Sequence, residues 1–212
     1  SSDVCSSDLG GVANITSTSG NITLTGKSTN TSTGAEGIVF LGAGTSNVTT
    51  GGAGKLTITA SGGAQRYDST RIQGAMTMGT SYVAATVKLQ AGTGGLTMDL
   101  TSASAAEAAM GGWFTSGTSV KSGGAINITG SNKVTITGEG GLTNGGSNSS
   151  AAAIAIGSAT STTPLTVDAG AGGLTITANA AAGSIWAFDN YAAGVKAQTV
   201  FKTSGALTVT AN

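Results

Sequence analysis

The chain has 212 residues, enough for one sizeable domain, and its nine basic and nine acidic residues cancel to a formal charge of zero. Only 8% of residues are charged, 36 are Gly and none is His, so Ser–His and Cys–His catalysis, the commonest zinc sites and a basic nucleic-acid-binding stripe are all excluded. No apolar run is long enough for a transmembrane helix, and no basic segment precedes an apolar one as in a signal peptide. The rest is unlike a disordered chain. The apolar fraction is 39%, and the Thr, Val and Ile it travels with favour pleated strands. Gly, Asn and Ser punctuate the apolar runs as turn formers, so the composition reads as many short strands.

Ser1 to Leu9, SSDVCSSDL, hold two of the nine acidic residues and the only Cys, and follow no pattern found later. The run resembles the translation of a short-read sequencing adapter and is read as an artefact. Cys5 is therefore not taken as a nucleophile, metal ligand or disulfide partner. Without these residues nine bases face seven acids, a net charge of +2. Residues 10–212 are then expected to form a single β-solenoid segment, a fragment of a longer repeat array.

From Gly20 onward one word returns: Gly, any residue, Leu or Ile, Thr, an apolar residue, usually Thr. It stands at Gly20–Thr25, Gly54–Thr59, Gly94–Asp99, Gly124–Thr129, Gly172–Thr177 and Gly205–Thr210, with a Gly-less copy at Lys133–Thr137. From Ile22 to Leu207 the principal copies are 34, 40, 30, 48 and 33 residues apart. Apolar residues alternate with Thr, the period of a strand with one buried face; Leu56 and Ile58 are expected inward, Thr57 and Thr59 outward. This is strand A. Strand B follows each copy as two alternating apolar residues before Gly: Val39 and Leu41, Met76 and Met78, Ala108 and Met110, Ile154 and Ile156, then Trp186 and Phe188 before Asp189. A weaker strand C is expected at Val48, Val87 with Leu89, Val120, Leu165 with Val167, and Val200.

Three strands recurring in one order, about five times, predict an all-β fold. Each repeat forms one coil of a parallel β-helix, and like strands stack at ~4.8 Å. One coil cannot bury its own apolar face, so the stack makes the core. A β-sandwich also uses many short strands but gives no reason for a fixed three-strand order. The open strand edges at both ends are expected to pair with other chains.

From the last inward residue of A to the first of B the gaps are 15, 18, 10, 18 and 10 residues, so insertions concentrate at that corner. In solenoids such insertions often mark the binding side. The second of these loops carries Arg66, Tyr67, Asp68 and Arg71, read as surface ion pairing or candidate ligand contacts. Trp113 and Phe114 fall outside the inward pattern and are a candidate exposed pair for stacking on a sugar ring. No second carboxylate accompanies Asp68, and neither a Walker A motif nor a calcium nonapeptide occurs. No catalytic residue, cofactor or metal is assigned, and the protein is not read as an enzyme.

GNITLTG, GIVFLG and VTTGGAGKLTITA resemble the repeats of large filamentous-haemagglutinin-like exoproteins, over nearly all of residues 10–212. The resemblance implies a right-handed β-helix, export to the bacterial cell surface or medium, and a role as an adhesin stalk or passenger. It also implies a dedicated outer-membrane transporter, with host-cell or matrix glycans or proteins as partners and no nucleic acid. Two alternatives are set beside it. One is a carbohydrate-active β-helix, as enzyme or polysaccharide-binding module; the other is ice binding by the outward Thr pairs.

Overall fold

The structure, a computed structural model, describes residues 2–5, 12–28, 36–40, 44–62, 74–78, 85–102, 110–115, 118–131, 154–157, 164–179, 188–191 and 199–212. It is a parallel β-solenoid. Sheet A stacks β1 (Ser2–Cys5), β3 (Ile22–Lys27), β6 (Leu56–Gly62), β9 (Leu96–Ser102), β12 (Ile126–Ser131), β15 (Leu174–Asn179) and β18 (Leu207–Ala211). Sheet B stacks β4 (Ile38–Phe40), β7 (Gly74–Met78), β10 (Met110–Thr115), β13 (Ile154–Gly157) and β16 (Phe188–Tyr191). Sheet C stacks β2 (Asn14–Ser17), β5 (Gly44–Thr50), β8 (Ala85–Ala91), β11 (Ser119–Ser122), β14 (Leu165–Ala169) and β17 (Thr199–Thr203). The chain runs A, B, C through five complete coils, from β3 to β17, as the repeat predicts.

Alternation and register together produce the core. Ile22, Leu56, Leu96, Ile126 and Leu174 form one column and Leu24, Ile58, Met98, Ile128 and Ile176 the next. All ten are 4% exposed or less. A fully buried side chain of this size contributes ~1.5–3 kcal/mol, and here like sits on like in every coil. Between these columns the polar residues of the same strands face outward, giving the buried–open alternation of β6 and β9.

The spacing of strand A holds throughout: Ile22 pairs with Leu56, Leu56 with Leu96, Leu96 with Ile126, Ile126 with Leu174, and Leu174 with Leu207. Strand B needs correction in three coils. In the first, Ile38 and Phe40 stand opposite Met76 and Met78, so the inward frame is one residue earlier than Val39 and Leu41. In the third, Gly112 and Phe114 take those positions rather than Ala108 and Met110. In the fifth, Phe188 and Asn190 stand opposite Ile154 and Ile156; Trp186 lies outside the described residues. In the first coil the reason is physical. Val39 and, in the next coil, Thr77, on the other face of sheet B, are 5% and 0% exposed, so the sheet has no wet face there to reveal its frame. In strand C, Phe201 and not Val200 continues the column of Val120 and Val167.

Two strands extend the stack beyond expectation. β2 adds a sixth C strand, with Ile15 opposite Val48. β1 pairs in parallel with β3, Ser2 opposite Ile22 and Val4 opposite Leu24. The Gly-less copy at 133–137 lies outside the described residues.

Candidate functional site

The polar groups that the structure places are of three kinds: corner hydroxyls, outward columns on sheet A, and outward columns on sheet C. The C-to-A corners are short, running over 18–21, 51–55, 92–95, 123–125, 170–173 and 204–206. Those at 92–95 and 170–173 close on themselves: the Gly95 N–H donates to the Gly92 carbonyl at 3.2 Å and the Gly173 N–H to the Gly170 carbonyl at 3.1 Å. They require Gly95 at φ +88° and Gly173 at φ +86°, a region that only Gly enters without strain.

The three-residue corners lack that closure, and a side chain replaces it. The Ser122 hydroxyl accepts from the Gly124 N–H at 3.0 Å and donates to the Gly92 carbonyl, one coil back, at 3.3 Å. Thr203 repeats the arrangement with the Gly205 N–H at 3.0 Å and the Gly170 carbonyl at 3.2 Å. At the corners 92–95 and 170–173 the same register position holds Ala91 and Ala169. Ser17 and Thr50 carry the hydroxyl ahead of the longer corners 18–21 and 51–55, Ser17 accepting from the Gly20 N–H at 3.0 Å and Thr50 donating to the Gly20 carbonyl, so the hydroxyl serves both three-residue corners without being confined to them. The Ser122 and Thr203 hydroxyls therefore hold the fold. Ser102 and Thr118 differ, being buried hydroxyls with no hydrogen-bond partner.

On the outer face of sheet A the register aligns Thr23, Thr57, Thr97, Asn127, Thr175 and Thr208 in one column and Thr25, Thr59, Asp99, Thr129, Thr177 and Thr210 in the next. The outward Thr pairs expected from sequence thus form a two-column array, broken at Asp99 and Asn127. Sheet C presents Asn14, Asn47, Lys88, Ser119 and Thr166 in one column and Thr16, Thr49, Gln90, Lys121, Asp168 and Lys202 in the other. Asp168 stands between two Lys on neighbouring strands, the opposite-charge order that stacked strands favour. Asn pairs bind across coils: Asn47 Nδ2 donates to Asn14 Oδ1 at 2.7 Å and Asn212 Nδ2 to Asn179 Oδ1 at 2.9 Å.

Of the residues singled out beforehand, Arg66, Tyr67, Asp68 and Arg71 lie outside the described residues. Trp113 and Phe114 lie on β10, in different register columns. Trp113 aligns with Val39 and Thr77, and Phe114 with Phe40 and Met78. Of these neighbours, Phe40 and Met78 are both fully buried. Among the described residues, no group of three or more Cys, Asp or Glu gathers as a metal-binding cluster. Corner hydroxyls were missed in the sequence, although the pairing of Ser122 or Thr203 with a shortened Gly corner was the signal that would have found them. No protein-family profile, no curated protein and no solved structure matches the chain.

Proposed function

We propose that the chain is a rod-forming structural or adhesive segment of a secreted or surface-exposed bacterial exoprotein, an adhesin stalk or passenger. One observation supports this reading above the others: five coils keep one unbroken register with polar outer columns on sheet A, charged only at Asp99. Repetition of that kind builds length. The partners of such a segment are host-cell or matrix glycans or proteins, and export runs through an outer-membrane transporter. Antibodies raised against the chain are expected to label intact cells of the source bacterium or to capture the protein from its medium. Labelling that needs permeabilised cells overturns the proposal.

The two Thr columns favour one other reading. A flat array of hydroxyl and methyl groups repeating at ~4.8 Å across strands suits an ordered partner such as ice. The breaks at Asp99 and Asn127 divide it at its middle, which is why the stalk is preferred. Thermal hysteresis in a solution of the chain would support ice binding, and its absence ends that reading.

A further inference from the structure

We infer that the outer face of sheet A binds a crystalline polymer of N-acetylated amino sugars, lying along the direction in which its chains stack; resting on the adhesin reading, this names the chemical class of the glycan partner. β6, β9, β12 and β15 each have a neighbour on both sides, so the face they present is a side wall of the rod. Its two outer columns hold Thr at ten of twelve positions and a single charged group, Asp99. Thr59 and Asn127 are exposed there, and Thr57, Thr97, Thr129 and Thr175 are partly so. Sheet C instead turns Lys88, Lys121, Asp168 and Lys202 outward. A neutral polymer suits the first face and not the second.

Spacing selects among neutral polymers. Parallel strands are joined by N–H···O=C bonds between amides, and this bond sets the rise of each coil at ~4.8 Å. The rod makes the same bond with side chains. Asn47 Nδ2 donates to Asn14 Oδ1 at 2.7 Å and Asn212 Nδ2 to Asn179 Oδ1 at 2.9 Å, the partners one coil apart in each case. Asn179 ends β15 on the face that carries Thr175 and Thr177. An Asn side chain ends in a carboxamide, the group that an acetamido sugar also carries. Where polysaccharide chains are joined through their acetamido groups, the same bond spaces them at about the same ~4.8 Å, and each coil meets one chain. Glucan chains without acetamido groups have no such bond to set that repeat.

The side chains present fit the surface of such a stack. A Thr hydroxyl both donates and accepts, and its methyl group can lie against an acetyl methyl. One such contact is weak. From β3 to β18 six strands in register span ~24 Å, and each chain held raises the effective concentration for the next contact. Asn127 and Asp99, which interrupt a lattice of water, offer a carboxamide and a carboxylate to acetamido and hydroxyl groups.

The test mixes the full 212-residue chain with microcrystalline chitin and microcrystalline cellulose, and adds soluble N-acetylglucosamine oligomers as competitors. Retention on chitin is expected to exceed that on cellulose at least ~tenfold and to resist the oligomers, which present no stack. It is also expected to persist at high salt, because the two columns carry one charge. Thr57→Lys with Thr175→Lys, on the sheet A wall, is expected to lower retention at least ~tenfold with an unchanged circular dichroism spectrum, while Thr49→Lys, on sheet C, binds like the parent. No retention on chitin, equal retention on cellulose, full competition by the oligomers, or equal loss in the sheet C variant each overturns the proposal. Thermal hysteresis without retention overturns it in favour of ice. Intact source cells that are labelled by antibody, with no retention on chitin, overturn it and leave the surface reading standing. The comparison of polymers needs no variant, so misfolding of the double substitution cannot shield it.

Discussion

Two buried serines in one coil should respond to the same substitution with opposite signs. Ser122 is 3% exposed and its hydroxyl holds two backbone groups, the Gly124 N–H at 3.0 Å and the Gly92 carbonyl at 3.3 Å. Ser122→Ala strips both. The corner at 123–125 is too short to close itself, so the Gly124 N–H is left without an acceptor, and a group left unpaired costs about 1–3 kcal/mol. The Gly92 carbonyl keeps the Gly95 N–H at 3.2 Å, which places the expected loss in the lower half of that range, about 1–2 kcal/mol. Ser122→Thr keeps the hydroxyl, as Thr203 does at the equivalent position, and should cost less than ~1 kcal/mol. Ser102 is 1% exposed, and its hydroxyl has no partner. Ser102→Ala removes a buried polar atom that already bears its desolvation cost, so it should be neutral or stabilising by up to ~1 kcal/mol. Urea unfolding followed by circular dichroism reads both, with an unchanged slope as the check that the denatured states match. If Ser102→Ala destabilises as much as Ser122→Ala, the hydrogen-bond accounting of the corners is wrong.

The inward column of sheet A offers a second comparison. Leu96→Ala, at a position 1% exposed, should cost ~2–5 kcal/mol, whereas Leu207→Ala in the same column, half exposed, should cost only ~1 kcal/mol; dilute-solution urea unfolding checks it. Gly95 sits at φ +88° with the position of a Cβ 2.9 Å from the Ala125 carbonyl oxygen, so Gly95→Ala should cost ~1–3 kcal/mol. Gly123→Ala, whose Cβ would meet nothing closer than 3.4 Å, should stay within ~1 kcal/mol of the parent in the same assay. Insertion of five Gly and Ser residues after Thr143 should change the unfolding free energy by less than ~1 kcal/mol. The same insertion between Gly124 and Ala125 should lower the midpoint sharply, because it parts the Gly124 carbonyl from the Gly170 N–H that it accepts at 3.0 Å.

Legibility of the fold followed the physical contrast between the faces of each sheet. Sheet A is wet outside and dry inside, so Leu56, Thr57, Ile58 and Thr59 announce both frame and register. The lengths of the repeats then carry over directly into the stacking partners. Sheet B is covered on both faces at Val39 and Thr77; in GIVFL every side chain is apolar after the Gly, and no alternation marks the inward residue. Gly112 and Asn190, which stand opposite Met76 and Ile156, broke the pattern further. β2 escaped because Ile15 is the only large apolar residue in NITS. The corner hydroxyls were hidden for another reason: Ser and Thr are the commonest polar residues of this chain's strands, and only a hydrogen bond, not a residue type, separates Ser122 from Ser102.

The contrast between corners explains how one repeat can vary in length without losing its stack. At the C-to-A corner, backbone meets backbone. The Thr93 N–H donates to the Gly52 carbonyl at 2.8 Å, the Gly92 N–H to the Gly54 carbonyl at 3.1 Å and the Gly170 N–H to the Gly124 carbonyl at 3.0 Å. At Gly94 and Gly124 a Cβ would strike the backbone of the preceding corner, so this edge of the rod tolerates few residue types and few lengths. The A-to-B connections span 28–37, 63–73, 103–109, 132–153 and 180–187, and yet the strands they join keep identical register on either side. Longer closed loops cost only slowly with length, so once the C-to-A corner fixes the rise of the coil, the A-to-B connection can differ in length from coil to coil without disturbing the register of the strands it joins.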